Sequence, residues 1–151
     1  MKQGTFYLLS QEFKQKDELN YLEKLICKLI STHWRSDKSI LVACENKHQA
    51  KKIDKALWIF DQNSFLPHNL FEKKSLHTPI TIYWNQCCYD NNSRDLLINL
   101  MLKNMDFFFN FNEIIDFVPI TDMLKKKARH RYQSYKKNGF KMNVIHTQFH
   151  E

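Results

Sequence analysis

Short apolar runs alternate with segments of helical periodicity along this chain, and this alternation constrains the fold more than any other feature. The apolar runs at 5–9, 39–44, 79–84 and 113–118 are predicted strands. Strands that alternate with helices form βαβ units, in which the strands pair in parallel and the helices cover the sheet. The sequence therefore predicts an α/β fold: one Rossmann-like domain over residues 1–151, with a mostly parallel sheet flanked by helices.

Helices are predicted between these strands, where leucine and isoleucine recur at three- and four-residue spacing in the first of them. The predicted helices cover 17–35, 47–60, 94–109 and about 121–139. Ser93 is a candidate N-cap of the third helix, and Gly139 a candidate C-terminal cap of the last. The final residues, 141–151, are predicted to form either a short extra strand or a loose tail.

Glycine is scarce, with only Gly4 and Gly139 in the chain. Loops that cradle phosphate groups need several glycines, because backbone N–H groups must approach the ligand closely. Neither common nucleotide-binding pattern can be written here, so we expect no nucleotide-binding loop and no cofactor. The seven histidines are scattered without ligand-like spacing, so we expect no metal site either.

The four cysteines indicate a reduced compartment. Cys27 and Cys44 lie inside apolar patterns, where a buried thiol acts as a small hydrophobic group. Cys87 and Cys88 are adjacent in a polar loop and have no role that we can assign. No apolar run is long enough to cross a bilayer, and the N-terminus has no signal-peptide pattern. We therefore expect a cytoplasmic protein with no membrane partner.

Positive charge is concentrated in the last predicted helix. Residues 121–139 contain seven Lys and Arg against the single acid Asp122, so they carry six of the chain's seven net positive charges. Lys125, Arg129, Tyr132 and Lys136 share one stripe of this helix, at i, i+4, i+7 and i+11. Like charges at this spacing slightly destabilise a helix. The stripe is either a solvated basic face or a surface for an anionic partner.

Two aromatic clusters also allow two interpretations, one structural and one functional. Trp58 and Phe65 lie near a predicted helix end and turn, and they are either core residues or part of a groove beside the basic stripe. A groove that combines cations with an apolar floor would suit a peptide that is both acidic and hydrophobic, because arginine would clamp a carboxylate and the floor would take an aromatic anchor.

Specific motifs in the chain resemble one known family. The segments W-x-x-x-x-x-S-F-x-P-H-N-L, from Trp58, and D-F-V-P-x-x-D-x-L-K-x-x-A-R-x-R-Y, from Asp116, are not general α/β patterns. Together with TFYLL and RDLLINL, they resemble the chi subunit of bacterial DNA polymerase III in order and spacing. The resemblance reaches from the first strand to Phe140. It implies a Rossmann-like fold without nucleotide chemistry.

The resemblance also implies two protein partners. One is the psi subunit, which links chi to the clamp-loader complex. The other is the C-terminal tail of the single-stranded DNA-binding protein, an acidic peptide that ends in an aromatic residue. Such a subunit would contact DNA only indirectly, through these partners.

Carried over to this chain, the family's tail site implies seven residues. Arg129 would hold the terminal carboxylate, with Lys125 and Tyr132 beside it. The implied apolar wall consists of Trp58, Phe65 and Val118. Two rim positions depart from the family pattern: Gln133 stands where a basic residue is expected, and Lys136 replaces an arginine. Rim charges mainly tune association rate and salt dependence, so the departures weaken the rim rather than the anchor.

Two rival functions compete with this interpretation. The basic helix could bind single-stranded nucleic acid directly, since phosphates need only placed cations and Tyr132 could stack on a base. An enzyme on a Rossmann-like fold is the second rival, but the sequence contains no nucleophile elbow and no acid–base pair at cooperative spacing. Asp116 ends a predicted strand, a common place for catalytic residues, and is interpreted as structural. We therefore expect no catalytic residue.

Overall fold

The computed structural model describes residues 2–9, 21–60, 67–70, 79–84, 94–102 and 111–147. Within these ranges the chain forms seven strands and three helices. In chain order they are β1 (Gln3–Leu8), α1 (Tyr21–Arg35), β2 (Ile40–Cys44), α2 (Lys47–Phe60), β3 (His68–Leu70), β4 (Ile80–Trp84), β5 (Leu96–Asn99), β6 (Glu113–Val118), α3 (Asp122–Lys137) and β7 (Lys141–His146).

The strands form one sheet in the order β3-β4-β2-β5-β6-β1-β7. Every pair of neighbouring strands in it is parallel. This confirms the predicted α/β fold with a parallel sheet flanked by helices. Parallel sheets of this kind are covered on both faces, and the central strands β2, β4 and β5 are accordingly buried along their whole length.

Successive side chains of each strand point to opposite faces, so the two faces have separate cores. On one face, Val42 and Cys44 of β2 pack with apolar residues of α1 and α2. On the other face, Leu41 and Ala43 belong to a cluster that includes Ala128 and Tyr135 of α3. Helix α3 therefore lies alone, among the described helices, on its side of the sheet.

The predicted helix over 94–109 is wrong at its start. Residues Leu96–Asn99 form β5, which lies between β2 and β6 and is completely buried. The strand has three apolar residues followed by the buried Asn99. A strand covered on both faces shows no alternation, so its pattern does not distinguish it from a buried helical segment. Ser93, the predicted cap, and residues 103–110 lie outside the described residues. The structure also contains β3, a short edge strand that was not predicted.

The turn after α3 joins this helix to the last strand. Gly139 has φ +92°, in the left-handed region that favours glycine, which confirms the predicted cap. The Phe140 N–H donates to the Tyr135 carbonyl at 3.1 Å, and the Gly139 N–H donates to the Lys136 carbonyl at 3.2 Å, the two bonds of a Schellman motif. The chain then enters β7 beside β1. Of the two alternatives for 141–151, the structure shows the strand, while 148–151 lie outside the described residues.

A buried ion pair attaches α3 to the sheet. Arg131 is 3% exposed, and its Nε and Nη2 donate to the two carboxylate oxygens of Asp116 on β6, at 2.9 and 3.1 Å. Asp116 also accepts hydrogen bonds from the Tyr135 hydroxyl at 2.8 Å and from Asn99 at 3.3 Å. Complete burial raises the pKa of Asp116, an effect that the Arg131 guanidinium opposes. Because every group has a partner, the cost of burying the two charges is offset.

Removing one member of this pair should destabilise the fold strongly. For Arg131→Ala we expect the free energy of unfolding to fall by about 3–5 kcal/mol, because the Asp116 carboxylate would remain buried without its counter-ion. Urea denaturation followed by circular dichroism measures this loss. The control is Arg129→Ala, which removes an exposed arginine two residues away and should change stability by less than about 0.5 kcal/mol. Equal stability of the two variants would contradict the role given to the pair.

Candidate functional site

An open groove lies between α3 and the carboxyl ends of β1, β6 and β7. Its volume is about 430 Å³, within the size range of ordinary ligand sites. Eleven residues line it: Phe6, Leu8 and Leu9 from β1 and its end, Val118 and Pro119 from β6 and its end, Lys125, Ala128, Arg129 and Tyr132 from α3, and Val144 and His146 from β7. The groove therefore exists only because these four elements meet.

The geometry of α3 explains which of its residues reach the groove. Lys125, Arg129 and Tyr132 are spaced by four and three residues, so they lie on one side of the helix. Ala128 is buried against the sheet, and its small side chain lets the helix approach closely. Arg129 is exposed, whereas Lys125 and Tyr132 are partly buried. The helix thus presents two cations and one aromatic ring at the groove.

The floor of the groove is apolar. Phe6 and Leu8 of β1 and Val118 of β6 contribute side chains to it. The Tyr132 ring meets the Phe6 ring edge to face, with centroids 5.4 Å apart and an interplanar angle of 64°. Aromatic pairs prefer this arrangement, so the contact with Phe6 holds the Tyr132 ring against the floor.

The electrostatics of the groove favour an anion. The described residues that line it include the cations Lys125 and Arg129 and no acidic side chain. The buried carboxylate of Asp116 on β6 is already neutralised by Arg131. One of the seven cations of the basic segment is therefore internal and does not contribute to the surface. A carboxylate is the group that a guanidinium binds best, through two parallel hydrogen bonds.

The structure brings together four of the seven residues that the resemblance implied. Lys125, Arg129, Tyr132 and Val118 line the groove. Lys136 is exposed on the same stripe of α3, beyond the groove itself, and Gln133 is exposed as well. Phe65 lies outside the described residues.

Trp58 requires a correction, because the structure does not place it in an apolar wall with Val118. It lies near the end of α2, on the opposite face of the sheet, and its ring packs against His68 of β3 with centroids 4.8 Å apart. Strand β3 forms one edge of the sheet, whereas the groove lies at the other edge. Trp58 is 56% exposed, so it is not a core residue either.

Sequence reasoning missed the contribution of the last strand. Val144 and His146 line the groove, and neither was singled out in the sequence. The signal available was weak: a short run containing Met142, Val144 and Ile145 directly after the Gly139 cap. Such a run is compatible with a strand, but only the pairing with β1 brings it to the groove.

A second cavity, of about 390 Å³, lies on the face covered by α1 and α2. It opens where β2 ends, the usual position of ligands in parallel α/β sheets. Glu23, Glu45 and Lys52 are among its lining residues. The Glu45 carboxylate accepts a hydrogen bond from the Leu102 N–H at 2.9 Å, so it serves to connect β2 with the segment after β5.

Within the described ranges, no group of three or more histidine, cysteine or acidic side chains could hold a metal ion. None of the helices described there is long and apolar enough to span a membrane.

A parallel sheet flanked by helices, with a basic, apolar-floored groove at one edge, defines a Rossmann-like α/β protein. Comparison with known proteins identifies the group more narrowly. The family model described as "DNA polymerase III chi subunit, HolC" matches residues 1–143, and the chain belongs to that family. This confirms the resemblance seen in the sequence and associates the chain with DNA replication.

Relatives from two organisms match almost their whole length. The DNA polymerase III subunit chi of Escherichia coli (strain K12) is 42% identical over 145 residues, covering 95% of this chain and 97% of the relative. The subunit of the same name from Haemophilus influenzae is 40% identical over 144 residues, covering 95% and 96%. The crystal structure of T4 UvsW matches with a TM-score of 0.65 at 12% identity, over 97% of this chain and 41% of that one, which shows similarity of fold alone.

The two cysteines in described regions should be chemically inert. Cys27 and Cys44 are fully buried, and burial raises the pKa of the Cys27 thiol to about 12 and that of Cys44 further still. In a variant with Cys87→Ser and Cys88→Ser, we expect a thiol reagent such as DTNB at pH 8 to label neither remaining cysteine until denaturant is added, because the thiolate is the reactive form. Rapid labelling of the native variant would contradict the burial of these thiols.

Proposed function

We propose that this chain is a non-catalytic accessory subunit of the DNA polymerase III clamp-loader complex. In this function it would work in the cytoplasm, attach to the complex through the psi subunit, and bind the acidic C-terminal tail of single-stranded DNA-binding protein. Membership of the chi family supports the general role in replication. The tail interaction is supported by one observation above all: Arg129 and Lys125 stand over an apolar floor in a groove whose described lining has no carboxylate.

Each part of the groove would recognise one property of the tail. The Arg129 guanidinium would hold the terminal carboxylate, with the Lys125 ammonium adding attraction for it and for nearby aspartates. The terminal aromatic ring would enter the apolar floor formed by Phe6, Leu8 and Val118. Tyr132, already edge to face with Phe6, would supply a second ring for it to pack against.

Binding rather than catalysis also fits the position of the acidic groups. Asp116 lies near the end of a strand, where α/β enzymes often place a catalytic acid. Here its carboxylate is 1% exposed and bound by Arg131 and Tyr135 beneath α3. The charged groups at the groove are cations that can orient an anionic ligand.

Arg129 should dominate the affinity for the tail. We expect Arg129→Ala to weaken binding of a peptide with the cognate tail sequence by more than about tenfold, because it removes a charge-assisted, bidentate contact. The control is Lys127→Ala, which removes the same charge from an exposed position outside the groove and should change the affinity by less than about twofold. Isothermal titration calorimetry at constant salt measures the affinity of both variants. A peptide with an amidated C-terminus should bind the parent as weakly as the carboxylate peptide binds Arg129→Ala.

The same titration separates the tail interaction from direct binding of nucleic acid. One outcome would make the basic helix a nucleic-acid surface. In it, the peptide does not bind the parent, bare single-stranded DNA binds with steep salt dependence, and Arg129→Ala loses the binding of DNA. Equal peptide affinity for parent and Arg129→Ala would remove the assignment of Arg129 as the carboxylate ligand.

Lys136 should act on the rate of association. It is exposed and lies beyond the groove on the basic stripe, so Lys136→Ala should reduce the association rate by about threefold at low salt. The difference should disappear near 1 M salt, where the screening length falls to about 3 Å. Stopped-flow measurements with a fluorescent tail peptide test this, with Lys136→Arg as the charge-preserving control. A change confined to the dissociation rate would instead indicate a direct contact with the bound peptide.

A further inference from the structure

Strand β7 has one edge that pairs with β1 and another that does not pair with any described strand. The Lys141 N–H donates to the Lys2 carbonyl at 2.9 Å, and the Thr147 N–H donates to the Leu8 carbonyl at 3.1 Å. In a parallel pair, every second residue of a strand bonds to the same neighbour. The odd-numbered residues of β7 therefore bond to β1, and the N–H and C=O groups of Met142, Val144 and His146 point to the outer edge.

This outer edge, defined as the backbone of Met142, Val144 and His146, leads directly into the groove. Val144 and His146 also line the groove with their side chains. Natural proteins usually protect an edge strand with charge, proline or a covering element, because an open edge invites pairing. Here Val144 is 48% exposed and its neighbour Ile145 is 43% exposed, so apolar surface accompanies the open edge on both of its faces.

The basic stripe of α3 runs alongside the same edge. Helix α3 is followed by a tight turn into β7, so the two elements are antiparallel, and the end of α3 lies near the start of β7. Arg129 is at the groove near His146, and Lys136 is two turns further along, toward the start of β7. A chain that lay along β7 would therefore have cations beside it over the length of the strand.

From this geometry we infer that the bound partner segment adds a further parallel strand to the outer edge of β7. The inference rests on the proposed function, and the occupant is the acidic stretch that precedes the aromatic terminus of the tail. With its terminal carboxylate at Arg129, the segment runs along β7 toward the groove, in the same direction as every strand of the sheet. Main-chain hydrogen bonds to Val144 and its neighbours supply affinity, and alternate acidic side chains face the stripe of α3.

The length of the peptide should then determine its affinity. A peptide of about three residues fills the groove only, whereas one of about ten residues also covers β7 at roughly 3.3 Å per residue. Titrated into the parent protein, the longer peptide of the cognate tail should bind at least about tenfold more tightly. Equal affinities would overturn the strand addition and leave the groove function intact. No binding of either peptide would overturn both.

A proline at Val144 isolates the main-chain contribution. Val144→Pro removes an N–H that points outward and leaves the odd-numbered bonds to β1 in place, a substitution that edge strands tolerate. We expect it to reduce the affinity for the long peptide to about that for the short one, while Val144→Ala, which loses most of the side chain but keeps the N–H, retains the length effect. Equal length effects in both variants would assign the gain to charge alone and overturn the inference.

Two further measurements distinguish strand addition from misfolding of a variant and from pairing with another occupant. Long peptides N-methylated at single positions, titrated into the parent protein, should lose affinity at every second position, because only alternate residues of an added strand bond to β7. A loss without this period overturns the inference. The second measurement is analytical ultracentrifugation of the parent and of Val144→Pro. A dimer of the parent that is absent in Val144→Pro would assign the edge to a second copy of this chain and would also overturn the inference.

Discussion

The buried pair of Arg131 and Asp116 is the contact on which the arrangement of the groove depends. Two hydrogen bonds between a planar guanidinium and a carboxylate define both distance and orientation, so they set the rotation of α3 about its axis as well as its height above β6. Arg129, two residues earlier, is thereby turned away from the core, and Tyr132, the next residue, reaches Phe6. A purely apolar contact would hold the helix with less directional constraint.

The parallel sheet explains why two cavities form at its carboxyl edge and why they differ. Helices α1 and α2 cover one face, and the cavity there has Glu23 and Glu45 in its lining. Helix α3 alone covers the described part of the other face, beneath strands β6, β1 and β7, and its cavity is basic. The crevice near the centre of a Rossmann-like sheet is the usual ligand site. In this chain the cationic groove lies at the edge instead, where β7 leaves room for an extended partner.

Sequence patterns predicted most elements because their periodicities were long or were flanked by clear signals. The helix predicted over about 121–139, observed as Asp122–Lys137, and the strand over 113–118 are examples. Strand β5 was missed, since a strand of four residues, three of them apolar, is too short for its pattern to distinguish a buried strand from a helix. The position of Trp58 was also beyond local reasoning. The resemblance grouped it with Val118, but Trp58 lies beside the edge strand β3, and three strands stand between β3 and the β6 strand that carries Val118.

The sequence by itself determined the α/β class, the concentration of charge in the last helix, and the stripe of Lys125, Arg129 and Tyr132, because each follows from local spacing along the chain. Only the tertiary structure decided that Arg131 is internal, that Phe6 and Val118 form a floor, and that β7 closes one side of the groove. These features depend on strand order and on pairing between residues far apart in the chain, for which a single sequence carries no periodic signal.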